Sequence, residues 1–232
     1  MRRTAADAHT VHLWSLSEDV VIDQSAGDDQ VVLTSRWGTE FLDRPDPMVR
    51  EALRRMELGP VLLANASPGK KDRQQESEAD SDVYLVMLPT LSKLSHLVVR
   101  TLGLDDLMGP LLSVFPVAPY ASFELDPPPG RQAVRLPSHV VLTVLDSGFS
   151  LESVASPHRV VLHRPEAALV VAMLAWPVTL DSAAAALPLP PQVTDDIIGY
   201  LAAAGMAAPV DPDEFDGEFG EESGQAPLSE AP

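Results

Sequence analysis

The chain of 232 residues has no cysteine. That absence removes disulfide frameworks, thiolate zinc sites, iron–sulfur ligation and cysteine nucleophiles at once. It also suits a reducing cytoplasm, where we expect the protein to work. Lysine is nearly missing too: 16 Lys and Arg face 34 Asp and Glu, a formal net charge of −18. A protein that grips a phosphate backbone draws its affinity from clustered basic residues, so neither nucleic acid nor an anionic membrane is an expected partner. Aromatic residues are sparse at 5%. The longest apolar run, Ala167 to Trp176, is closed by Pro177 and falls far short of the roughly 20 residues that a membrane helix needs. Arg2 and Arg3 are followed by polar and small residues, including Asp7, so no signal-peptide core is read there. What remains is a hydrophobic content of 45%, enough for a sizeable core.

Composition divides the chain. Residues 211–232 carry eight acidic residues and no basic one. With only Phe215, Phe219 and Leu228 to bury, that stretch cannot repay its ordering entropy, and a disordered tail or linker is predicted over 210–232. A polar stretch at 65–82, from Asn65 through Lys70, Lys71 and Arg73 to Asp82, reads as a flexible insertion. Pro127-Pro128-Pro129-Gly130 is a stiff run that we take as the boundary between two folded halves, 11–126 and 131–209.

The halves resemble each other. Leu42-Asp43-Arg44-Pro45 and Leu162-His163-Arg164-Pro165 lie 120 residues apart, each between a β-like stretch and a helix-like one. At the same offset Val49, Leu53 and Met56 map onto Leu169, Met173 and Trp176, a spacing that places one apolar stripe on a helix. Each copy begins with three β-type stretches separated by turn residues: 20–23, 31–35 and 40–43, then 140–144, 149–154 and 159–163. Each later has an apolar helix ending at a glycine, Leu91 to Leu102 before Gly103 and Val193 to Ala204 before Gly205. A short helical turn at 179–186 and a return segment at 111–117 complete the pattern. The prediction is an α+β chain of two winged helix-turn-helix-like modules, each a three-stranded antiparallel meander plus helices. The second long helix presents Asp195 and Asp196 in one copy and only Lys93, His96 and Arg100 in the other, which argues against DNA binding.

Chemistry-bearing residues are scattered. His9 and His12 have no acidic partner at ligand spacing, and His158 and His163 fall on opposite faces of one strand. His96 sits among Leu94, Leu97 and Val98, as a structural histidine does. There is no Gly-x-Ser-x-Gly elbow and no glycine-rich phosphate loop after a strand. No catalytic, metal or cofactor-binding residue is expected.

Five stretches carry a resemblance: Leu13-Trp14-Ser15-Leu16, Leu33 to Gly38, Val49 to Met56, Leu94 to Arg100 and Tyr200 to Met206. Over about residues 11–209 they resemble the amino-terminal region of actinobacterial SagB-like peptide dehydrogenases, also labelled NADH oxidases. The resemblance implies a place in the biosynthesis of ribosomally made, modified peptides, where an FMN-dependent, nitroreductase-like domain oxidises azolines to azoles. It also implies that the region ahead of that domain clamps the precursor peptide. The flavin domain would begin after the acidic segment, where this sequence stops, so FMN is expected in a missing domain or a partner subunit.

A three-stranded meander beside a helix can take up an extended leader peptide as an added strand. The expected edges are 40–43 with the helix 91–102, and 159–163 with the helix 193–204. Val160, Val161, Leu162, Ile197, Ile198 and Leu201 are the predicted peptide-binding residues. Two alternatives stay open: a scaffold that only docks or stabilises the flavin subunit, and a winged-helix transcriptional regulator.

Overall fold

The computed structural model describes residues 9–23, 29–66, 76–106, 108–126 and 131–210. The predicted acidic tail, the proline run and the central part of the predicted insertion lie outside the described residues. The chain is an α+β protein with five α-helices and several antiparallel sheets among the described residues.

The first half opens with β1 (Thr10–Leu16), followed by the meander β2 (Val21–Asp23), β3 (Gln30–Ser35) and β4 (Gly38–Asp43). Helix α1 (Pro47–Leu58) follows, with the Asp46 side chain accepting from the Met48 N–H at 2.8 Å and Pro47 in the first turn, where no donor is needed. Helix α2 (Glu76–Lys93) and the strands β5 (Val98–Leu104) and β6 (Pro110–Pro116) complete it. The second half holds β7 (Val134–Arg135), the meander β8 (Val140–Leu145), β9 (Gly148–Ser153) and β10 (His158–Leu162), helices α3 (Pro165–Met173), α4 (Leu180–Ala186) and α5 (Pro191–Ala203), and β11 (Ala208–Pro209).

The duplication runs deeper than the sequence pattern. In the first half Trp14 of β1 exchanges two backbone hydrogen bonds with Val61 just after α1, and β5 returns to pair antiparallel with β1. In the second half Val134 of β7 exchanges the same two bonds with Val178 just after α3, and β11 returns to β7. Strand, meander, helix, bridge, helix and returning strand therefore occur twice in one order.

Two expectations are corrected. The predicted helix 91–102 ends at Lys93, and Val98–Leu104 is strand β5. Val98, Val99 and Thr101 are β-branched, and every residue from Val98 to Gly103 is buried, as in a strand covered on both faces. Gly103 marks a register shift between β5 and β6 and does not cap a helix, whereas Gly205 does sit after α5 with φ +70. The helical repeat is also offset by 118 residues and not 120. Buried Val49, Ala52, Leu53 and Met56 of the first copy match buried Ala167, Val170, Val171 and Leu174, while Leu169 and Trp176 are exposed. The prolines explain the slip: Pro165 in the first turn of α3 corresponds to Pro47, and Pro45 lies two residues too early.

One sheet joins the copies. Its order is β1-β5-β6-β10-β9-β8, and the β6–β10 pairing is the seam. Helices α3, α4 and α5 cover one face, closing a core that includes Leu102, Leu112, Val114, Leu151, Val160, Leu162, Ile197 and Leu201. A second core forms where α1 and α2 pack on Trp14, Leu16 and the sheet β2-β3-β4, with Leu33, Leu53, Met56, Met87 and Leu94 wholly buried. No helix among the described residues is long and apolar enough to cross a membrane.

Candidate functional site

The six predicted peptide-binding residues are core. Val160 and Leu162 of β10 and Ile197, Ile198 and Leu201 of α5 are 1% exposed or less, and Val161 is 9% exposed. Strand β10 is paired with β9 on one side and β6 on the other. Its backbone donors and acceptors are already used, so it offers no edge to a further strand. The predicted edge is thus occupied from within the chain, with β6 in the place of the added strand.

The other predicted edge, β4, is an end of its sheet but is partly closed. The two-residue turn Arg36-Trp37 makes Ser35 and Gly38 a hydrogen-bonded pair, so Thr39, Phe41 and Asp43 turn their backbone groups outward. Lys93 Nζ donates to the Phe41 carbonyl at 2.6 Å, and it also lies 3.8 Å from Glu40. His96 Nε2 is 3.7 Å from the same carboxylate. The end of α2 is latched onto β4 where a peptide would lie.

Strand β8 is open. It ends the six-stranded sheet, and Val141, Leu142, Val144 and Leu145 are 38–74% exposed. Leu145 and Gly148 flank the two-residue turn Asp146-Ser147, so residues 141, 143 and 145 bond to β9 while 140, 142 and 144 face outward. The Val140 N–H is taken by the Pro137 carbonyl at 3.0 Å, whereas Leu142 and Val144 have no outward partner among the described residues. The strand carries no charge, which leaves it without the usual guard of an exposed edge. On the helix-facing side, Leu142 extends the row Val114, Val160, Leu151, and Val144 extends the row Leu112, Leu162, Phe149. An added strand would continue rows that are core elsewhere. Sequence reasoning found this strand but not its exposure. The signal was its six consecutive uncharged residues without polar alternation, which mark a strand to be covered on both faces.

At the opposite end of the sheet, polar side chains tie β1 and β5 to α5. Tyr200 is fully buried, and its hydroxyl lies 2.9 Å from His12 Nδ1 and against the Arg100 guanidinium. Burial lowers the His12 pKa, with Asp196 opposing and Arg100 reinforcing the shift. The neutral ring then accepts at Nδ1 from the Tyr200 O–H, and the tyrosine oxygen is left to accept from Arg100. Burial pushes the Tyr200 hydroxyl up to about 12, so it stays a donor. Thr10 Oγ1 donates to Asp196 beside them. No group of three or more potential metal ligands occurs among the described residues.

No protein-family model matches the chain, and no curated protein matches it in sequence.

Proposed function

We propose that this chain is a non-catalytic recognition and docking module of an FMN-dependent, SagB-like dehydrogenase. It holds the precursor peptide of a ribosomally made, modified product while a nitroreductase-like domain or subunit oxidises azolines to azoles. Within the same proposal the two copies are winged-helix-like modules, a reading supported by the order of meander, helix, short helical turn and helix in each. The observation that carries the peptide reading is β8, an uncharged strand with an open backbone edge and exposed side chains on both faces. An extended peptide laid along it gains main-chain hydrogen bonds at residues 142 and 144, and its alternate side chains cover Leu142 and Val144. The described residues do not fit FMN. The buried cation Arg100 stands alone, and no glycine-rich turn leads into a helix N-terminus beside it. Within this proposal the flavin belongs to the partner domain or subunit.

Titration calorimetry with the leader segment of the precursor encoded beside this chain tests the reading. Saturable binding is expected, and Val144→Pro, which removes an outward N–H at a 74% exposed position, weakens it by about tenfold or more with the fold intact. No heat, or equal binding by the variant, overturns it. Co-purification of a nitroreductase-like chain without peptide binding would leave the docking scaffold in its place.

A further inference from the structure

We propose that a cavity at the β1–β5 end of the sheet binds a small organic monocarboxylate with an aryl or alkyl body. This goes beyond the peptide reading and does not rest on it. Arg100 is on the second strand and β8 is the sixth, a separation of roughly 19 Å.

The cavity has a volume of about 360 Å³, at the small end of organic-ligand sites. Trp14, Tyr84, Leu88, Ser92, Arg100 and Phe123 are among the residues lining it. Arg100 is only 7% exposed, and its guanidinium stacks 3.2 Å from the Trp14 ring centroid and 5.1 Å from that of Phe123. A buried arginine ordinarily has a carboxylate partner. Here none lies within ion-pair distance among the described residues, and Nε has no hydrogen-bond partner among them. The neutral Tyr200 hydroxyl and the ring faces hold the cation in place without cancelling its charge. In a chain with a net charge of −18, a buried cation that pairs with no described carboxylate, Glu124 of the same cavity included, is set aside for an incoming anion.

The rest of the lining selects which anion. One guanidinium with parallel N–H groups suits one planar carboxylate. A dianion would lack a second cation and would meet Glu124, which also lines the cavity. Tyr84 and Leu88 of α2 are 42% and 40% exposed beside Arg100 and give the ligand's carbon body a surface to cover. Ser92 and Ser122, both exposed, supply hydroxyls at the rim.

Titration calorimetry with 3-phenylpropionate, its amide 3-phenylpropanamide, acetate and inorganic phosphate tests the site. The phenyl acid is expected to saturate the protein, with the amide, acetate and phosphate each weaker by about tenfold or more. Arg100→Lys keeps a charge but loses the fork, and Ser92→Trp fills the mouth from the surface of α2 while leaving Arg100 in place. Both should weaken the acid by about tenfold or more, and Val144→Pro should bind it as the parent does. Equal binding of acid and amide, or unchanged binding in folded Ser92→Trp, overturns the site. So does binding that is independent of Arg100, or no saturation by about 10 mM. Binding only by a peptide with a free carboxyl-terminal phenylalanine would overturn the small-acid assignment in favour of a peptide end.

Discussion

The two copies use one order of elements and arrive at different sheets. In the first, the bridging strand β1 and the returning strand β5 are seven residues each, and the meander β2-β3-β4 remains a sheet of three. In the second, β7 and β11 are two residues each, while the meander β8-β9-β10 is one half of a sheet of six. The long returning strand makes the difference. After β5 the first copy turns at Gly109, whose φ is +91, and sends β6 along the edge of β10. The first copy thereby fills the edge that β10 would otherwise present, and the meander of the second copy keeps its open, uncharged edge at β8. A duplicated unit can thus close one strand edge and expose another with no change in its order of elements.

If the seam joins the copies into one cooperative body, equivalent core deletions should act on one transition. Met56 of α1 and Leu174 just after α3 stand at matching positions, both fully buried and one in each core. Met56→Ala and Leu174→Ala are each expected to cost about 2–5 kcal/mol through lost burial and the cavity left behind. Calorimetry should show a single unfolding endotherm displaced downward by either change. Two endotherms, each moved by only one substitution, would break the comparison and make the copies independent domains.

Glycines after the hairpin turns sharpen the same contrast between a covered meander and a free one. Gly148 has φ +144, and a Cβ built on it would lie 2.1 Å from the Leu162 carbonyl oxygen of β10. Gly38 has φ +121, and its Cβ would meet nothing within 4 Å. Gly148→Ala therefore suffers backbone strain and a clash with the neighbouring strand, an expected loss of about 2–4 kcal/mol. Gly38→Ala suffers the strain alone, about 1 kcal/mol. Equal denaturation midpoints for the two variants would contradict the close approach of β10 to the start of β9.

Much of the fold was legible in the sequence because its signals are local. The six meander strands follow from β-branched runs between turn residues, and α1, α4 and α5 follow from caps, prolines and apolar spacing. Residues 98–102 misled because Val98, Val99, Arg100, Thr101 and Leu102 continue the apolar pattern of α2 without a break. Their strand state comes from pairing with β1, which is more than eighty residues away in sequence. The site was less legible for the same reason. Nothing near residues 160–162 says that β6 will lie beside them, so an edge inferred from one meander turned out to be interior. Arg100 looked like a surface residue of a helix; only the cross-strand pairing with Trp14 stacks it on a ring and buries it.

The pH response separates the copies most gently. His158 and His163 belong to the second meander, and His12 lies on the strand that reaches α5; burial lowers the pKa of all three from 6.5. His158 is 4% exposed with Nδ1 unpartnered, near Phe123, and it borders a cavity shared with His139, Glu152 and Arg159. His163 Nε2 is 3.0 Å from the Ser113 hydroxyl, and Asp196, Arg100 and Tyr200 face His12. Each ring is neutral in the folded chain at a pH where the unfolded chain has begun to bind a proton. Between 6.5 and the lower folded values the unfolded state therefore holds more protons, and stability falls as pH falls. Above 6.5 their contribution to the slope fades, because the unfolded rings lose their protons as well. Melting temperature is expected to be level from pH 7 to 8 and to decline from about pH 6.5 downward. His158→Leu, which keeps an apolar side chain beside Phe123, should flatten that decline. A decline of the same steepness in the variant would show that burial of this ring does not contribute to the acid sensitivity of the shared sheet.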